Sequence, residues 1–106
     1  MELQLQMELV DGTAKILLGG KLDATNAPAF QEELKKLIGQ DVTKIVFFSE
    51  NLEYIASAGL RVMIFAKQRI GINAQVYLVG AQKPVLDVIK MSGLDTFMTI
   101  QETYNP

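Results

Sequence analysis

Apolar and polar residues alternate without a break from Leu3 to Leu9: Leu3, Leu5, Met7 and Leu9 share one side, and Gln4, Gln6 and Glu8 the other. A period of two is that of a strand wet on one face. Asp11-Gly12 follows, a pair that tolerates the positive φ of a tight hairpin turn, and Ala14, Ile16 and Leu18 then resume the alternation. The chain therefore has to begin with an antiparallel hairpin. Gly19-Gly20 is expected to end this pairing, and Lys21 to Thr25 leads onward into a helix.

From there the period changes to that of helices and short buried strands. A helix capped by Thr25 or Asn26, with Pro28 in its first turn, carries Phe30, Leu34, Leu37 and Ile38 at helical spacing; it sets Glu32 four residues before Lys36 and stops at Gly39. Val42 to Phe48 is β-branched and aromatic, consistent with a central strand buried on both faces. A loop, Ser49 to Ala56, is expected to lead to an apolar helix from Ser57 to Ile70, closed by Gly71. Ala74 to Val79 reads as a strand, Pro84 to Met91 as a helix stopped by Gly93, and Phe97 to Ile100 as a last short strand. The order β-β-α-β-α-β-α-(β) predicts an α/β fold with a mixed four- to five-stranded sheet, an N-terminal antiparallel hairpin and right-handed α-helical crossovers. At 106 residues this is a single domain, 1–106, with residues 102–106 expected to form a frayed tail.

Composition removes most enzyme classes. The chain has no His, Cys or Trp. That excludes Cys or His nucleophiles, His general bases, thiolate or imidazole zinc sites, disulfides and CxxC redox chemistry. No cofactor and no metal are expected. A net charge of −2 offers no basic footprint for nucleic acid or anionic lipid. Apolar runs are too short to insert in a membrane, and the alternating stretch Met1 to Met7 is not a signal peptide. The expected compartment is the cytoplasm, a reading that the missing cysteines fit.

In a β-α-β unit functional loops gather beyond the carboxyl ends of parallel strands. The stretch after Phe48 reads Asn51-Leu52-Glu53-Tyr54-Ile55-Ala56-Ser57-Ala58-Gly59-Leu60-Arg61-Val62, and its small cluster Ala56 to Gly59 lies where the chain turns into a helix. A helix amino terminus offers unpaired N–H donors and a partial positive charge, so an anion on Ser57 is stabilised there, and small neighbours admit a second protein to the hydroxyl. The plainer reading is that Ser57 caps the helix, worth about 1 kcal/mol. No capping box supports it, because Leu60 is neither Glu nor Gln.

Asn51 to Val62 resembles the signature of the STAS family, the bacterial anti-sigma factor antagonists, in which a serine, a small residue and Gly-Leu open the helix after the third strand. Gly20-Lys21-Leu22-Asp23-Ala24-Thr25 is similar to that family's Gly-x-Leu-Asp segment after the second strand. The element order matches along nearly the whole chain. The resemblance implies a non-enzyme: a regulator of transcription that binds an anti-sigma factor/serine kinase when unphosphorylated, thereby freeing a sigma factor. It implies release by phosphorylation of Ser57, reversal by a serine phosphatase, and a docking surface of Asp23, Ala56, Ala58, Gly59, Leu60, Arg61 and Val62. The segment departs from many members at Ala56, where they carry Asp or Ser, and at Phe48, where they carry Asp. These departures motivate a second reading, a phosphorylation-independent STAS interaction subunit of a larger complex such as a lipid-transport ATPase assembly. A catalytic reading needs a base for the serine, and only a lysine such as Lys21 is at hand.

Several single residues carry open alternatives. Asp23 is either an Asx-turn acceptor or part of the partner surface. Arg61, expected in the first helical turn, is either an exposed bystander or a group that pairs with phosphate or a partner carboxylate. Val62 to Ala66 leaves its helix apolar on more than one side, as a core helix or a hidden patch would. Tyr54 and Tyr77 read as packing residues, and Glu50 and Glu53 as solvated acids without a third ligand.

Overall fold

In the computed structural model, which describes residues 3–104, the opening alternation becomes strands β1 (Leu3–Val10) and β2 (Thr13–Leu22). They pair antiparallel from Leu3↔Gly20 to Val10↔Thr13. Asp11 (φ 50°) and Gly12 (φ 78°) both take the left-handed conformation required by a two-residue hairpin turn. Helix α1 (Ala27–Lys35) follows, then β3 (Lys44–Ile55), α2 (Ser57–Phe65), β4 (Gln75–Val79), α3 (Lys83–Ser92) and β5 (Thr99–Gln101). The strands lie in sequence order in one five-stranded sheet, with every neighbour after the hairpin parallel.

One face of that sheet carries the core. Ile16 of β2, Ile45 and Phe47 of β3, and Val76 and Leu78 of β4 meet Phe30 and Leu34 of α1, Val62 and Met63 of α2, and Val85 and Ile89 of α3. Phe30 and Phe47 meet edge to face, their centroids 6.4 Å apart. The intervening residues Val46, Tyr77 and Val79 face the other way and are covered by Phe48 and Tyr104. The central strand is thus buried on both faces, by helices on one and by an aromatic cluster on the other. Tyr104 packs edge to face on both Phe48 (5.7 Å) and Tyr77 (5.5 Å), so the tail expected to fray is anchored as far as this residue. Residues 105 and 106 of that tail, and residues 1 and 2 of the stretch read as lacking a signal peptide, lie outside the described residues.

The boundaries correct the sequence reading in physically informative ways. Gly19-Gly20 does not end β2, and the expected loop Ser49 to Ala56 is, up to Ile55, the second half of β3. Two register shifts, at Leu17/Gly19 and Gly20/Lys21, each give β3 one residue more than β2. Such bulges displace the alternation, so the core-facing residues of β3 run Ile45, Phe47, Leu52, Ile55 instead of keeping a period of two. Ser49 is fully buried at the first shift, its hydroxyl donating to the Phe47 carbonyl at 3.3 Å.

Helix α1 tightens before Gly39. Leu37 N–H donates to the Leu34 carbonyl and Ile38 N–H to that of Lys35, a three-residue spacing. The ion pairs follow that spacing: Lys35 pairs with Glu32 and Lys36 with Glu33, in place of the expected Glu32 with Lys36. Helix α2 ends at Phe65 and continues to Ile70 as a widened π turn, in which Gly71 N–H donates to the Ala66 carbonyl. Phe97 ends a short 3₁₀ turn, Leu94–Phe97, and is 58% exposed, so the last strand starts later than expected. Among the described residues no helix is long and apolar enough to cross a membrane.

Candidate functional site

Parallel pairing brings together two segments about thirty residues apart. The register carries β2 and β3 side by side to Lys21↔Tyr54 and Leu22↔Ile55, and Ala56 N–H then donates to the Leu22 carbonyl at 2.9 Å. Both chains leave the sheet at the same end, one into Asp23 and the other into Ser57.

The Asp23 side is closed by its own hydrogen bonds. Asp23 Oδ1 accepts from Thr25 Oγ1 (2.6 Å), Thr25 N–H (3.0 Å) and Asn26 N–H (3.3 Å), while Asp23 N–H donates to Asn26 Oδ1 (2.9 Å). Asn26 Nδ2 reaches back to the Lys21 carbonyl at 2.8 Å. The bond from the Thr25 hydroxyl is the main cause that holds the Asp23 carboxyl below its ordinary range, with the backbone N–H groups of Thr25 and Asn26 adding to it. Asp23 is thus an Asx-turn acceptor, and Asn26, not Thr25, is the residue at the helix boundary. Because these bonds converge on Oδ1, Oδ2 has no partner among the described residues.

The Ser57 side is built the other way. Ala56 holds the boundary position of α2 in extended conformation (φ −96°, ψ 171°), and Ser57 is the first helical residue. Ser57 therefore does not cap the helix. Its hydroxyl is exposed and has no hydrogen-bond partner among the described residues, and Ala56 offers no side-chain acceptor in its place. Gly59 and Leu60 N–H both donate to the Ala56 carbonyl, at 2.9 and 3.2 Å. The N–H groups of Ser57 and Ala58 take no partner among the described residues, which leaves the positive end of the helix open beside the hydroxyl.

Of the other residues singled out from sequence, Arg61 is exposed and forms no ion pair among the described residues. It stands in the second turn of α2, four residues after Ser57 and on the same face, and not in the first turn as expected. Ala58 and Leu60 are half-buried. Gly59 is buried, and a Cβ there would meet Leu22 Cγ at 2.7 Å and Ile55 Cγ1 at 2.9 Å. Gly59 thus seats α2 on the ends of both strands instead of offering a contact surface. Val62, 3% exposed, forms the floor of a groove of about 230 Å³ between α1 and α2.

Ala24, Ala27, Pro28 and Gln31 complete that groove with Ala58 and Arg61. The sequence reading did not select Ala27, Pro28 and Gln31 of α1 as site residues; the only signal for them was that their helix starts just after the Asp23 turn. Phe48 faces the aromatic cluster on the sheet face away from α2, so it is no part of this site. Tyr54, read as packing, is 49% exposed.

Comparison with known proteins identifies relatives of this fold. A match to the STAS domain family spans residues 4–105. The Bordetella bronchiseptica protein BtrV, named for an anti-sigma factor antagonist role, is 30% identical over 92 residues, covering 86% of this chain and 79% of its own. Among solved structures, an anti-sigma factor antagonist from Mycobacterium paratuberculosis superposes with a TM-score of 0.84 at 20% identity, over 96% of this chain and 87% of that one. The anti-sigma factor antagonist SpoIIAA of Bacillus superposes in its unphosphorylated form at 0.80 with 25% identity, over 92% and 87%. In its phosphorylated form it superposes at 0.72 with 24% identity, over 92% and 90%.

Proposed function

This chain belongs to the STAS domain family, and from that premise we propose that it is an anti-sigma factor antagonist whose partner binding is switched off by phosphorylation of Ser57. The observation that carries the reading is the Ser57 hydroxyl: exposed, unbonded among the described residues, and placed on the first residue of a helix whose leading N–H groups are free. A hydroxyl that caps its own helix would have to give up that bond before reacting. This one does not. A relative of 25% identity is described in an unphosphorylated form and also in a phosphorylated one, which supports the same chemistry here.

In the switch, Ser57 Oγ attacks the γ-phosphorus of ATP held by the partner kinase. The Oγ–P bond forms, the bond to the ADP oxygen breaks, and the hydroxyl proton passes to a base on the kinase, since this chain has no histidine to take it. The product gains about 1.5 to 2 negative charges, which the open helix end tolerates in the free protein. Against a fitted, desolvated partner the same charge is repulsive, and the complex is released. A serine phosphatase restores the binding form.

The docking surface of the unphosphorylated form comprises Ser57, Ala58, Leu60 and Arg61, Asp23, and the groove floored by Val62, with Ala56 and Gly59 shaping it from beneath. Both partners and the switch belong to the cytoplasm. Incubation with the cognate anti-sigma kinase and ATP is expected to add one phosphoryl group by intact mass to the natural chain and none to Ser57→Ala. No transfer onto Ser57, together with equal kinase binding by Ser57→Asp and the natural chain, would falsify the proposal. Stable co-purification with a non-kinase partner, insensitive to Ser57→Asp, would assign the surface to a constitutive subunit contact instead.

A further inference from the structure

The two edges of the sheet are protected unequally. On one side the sheet ends in β5, only three residues long, a length that gives another strand little to pair with. On the other side it ends in β1, eight residues long and paired in unbroken register with β2. From Leu3 to Val10 the strand has no Pro, Lys or Arg, and Glu8 is its only charge. Both register shifts lie between β2 and β3 and leave β1 regular. Soluble proteins ordinarily blunt a long edge with lysine, proline, a bulge or a covering element. Among the described residues β1 carries no such device in its own sequence, and no strand stands beyond it.

The hairpin turn fixes which backbone groups face outward. A two-residue turn of this kind closes on a pair that exchanges both hydrogen bonds, here Val10 with Thr13. Alternation then directs Glu8, Gln6 and Gln4 toward β2 and turns the N–H and C=O groups of Leu9, Met7, Leu5 and Leu3 to the free edge. Their side chains lie on the helix-bearing face: Leu3, Leu5 and Met7 are half-buried against the core, and Leu9 is 37% exposed.

We infer that β1 is a homotypic interface, along which two copies of this chain pair antiparallel about a two-fold axis at Gln6 to form one continuous sheet. The occupant is a second copy because the strand is complementary to itself in this register. The outward-facing residues pair with one another, Leu3 with Leu9 and Leu5 with Met7, so all of them are used. A two-fold normal to the sheet keeps these side chains on the helix face, where each copy covers what the other leaves half-exposed. On the opposite face Gln6 meets Gln6, and Glu8 meets Gln4, whose amide can donate to it. An axis at Glu8 would set it opposite itself, a like-charge pair that disfavours that register.

The natural chain contains no cysteine, so Gln6→Cys places its only thiol on the proposed axis, at a non-hydrogen-bonded pair with Cα atoms about 4.5 Å apart, within disulfide range. Mild oxidation is expected to convert this variant to a covalent dimer, and to do so far faster than Gln40→Cys, whose thiol would be exposed elsewhere. Sedimentation equilibrium should show a reversible dimer of the natural chain. Gln6→Glu and Gln6→Lys, at an exposed position, should each weaken it by about tenfold, and an equimolar mixture of the two should restore association. A natural chain that stays monomeric to millimolar concentration, with Gln6→Cys oxidising no faster than Gln40→Cys, overturns the inference. A dimer indifferent to both charge variants overturns it as well, because its interface then lies elsewhere.

Discussion

The helices α1 and α2 start at the same end of the sheet, next to each other, and are built on opposite principles. The start of α1 is tied by side chains: Asp23, Thr25 and Asn26 bond to one another and back to Lys21, so the turn is held by its own side chains. At the start of α2, Ala56 contributes no side-chain bond, the Ser57 hydroxyl has no partner among the described residues, and the helix is held by packing, with Gly59 against Leu22 and Ile55. In the proposed switch this helix end receives a phosphoryl group, and its hydroxyl is not spent on a cap. Its position is secured from below by shape and from beside by a neighbour that has no such constraint.

Breaking the packing side of this contrast should have the largest effect. Gly59→Val is expected to destabilise the domain by about 3 kcal/mol in urea unfolding, because its Cβ already overlaps Leu22 and the branched methyls have nowhere to go. A change under about 0.5 kcal/mol would mean that α2 is not held by this contact. Next in size, Asn26→Ala removes two partly buried bonds at the side-chain-tied start, for a loss of about 1 to 2 kcal/mol by the same measurement.

Ser57→Ala should cost less than about 0.5 kcal/mol while abolishing phosphoryl uptake, and a loss of about 1 kcal/mol or more would return Ser57 to the role of cap. Ser57→Asp should leave the thermal midpoint nearly unchanged or slightly raised, because a negative charge at the first helical position is favoured by the helix dipole. The subtlest test uses acid. The folded-state carboxyl of Asp23 titrates below its ordinary value of 3.8, so the stability it contributes is present in full well above that value and is lost as the pH falls through the lower, folded-state range. The stability gap between the natural chain and Asp23→Asn should accordingly be widest near neutral pH and narrow below pH 3.8. A gap that widens on acidification would show that Asp23 is not held by these bonds.

How legible each part was in the sequence depends on whether the pattern was local. The hairpin was readable because alternation and Asp11-Gly12 are contiguous signals, and α3 because Pro84 and Gly93, the latter at φ 82°, punctuate it. The second half of β3 was not, because two bulges shift Leu52 and Ile55 out of phase and put Ser49, Glu50 and Asn51 where polar residues imitate a loop. Ser57 stood out as a candidate site residue through its small neighbours. Its position one residue inside the helix was not, since whether a serine caps or follows the cap turns on a backbone angle at Ala56. Gly59 looked like part of an exposed small-residue surface, and only the approach of Leu22 and Ile55 reveals it as a seat.

By itself the sequence determined the order of the elements, the absence of any histidine or cysteine chemistry, and a hydroxyl set among small residues at a helix start, all properties of neighbours along the chain. The tertiary structure decided which distant neighbours meet. Parallel pairing of Leu22 with Ile55 set Asp23 beside Ser57, α1 supplied one wall of the groove that α2 opens, and Tyr104 came down on Phe48 on the sheet's other face. Those are outcomes of register and packing, in which a single inserted residue changes what every later side chain faces.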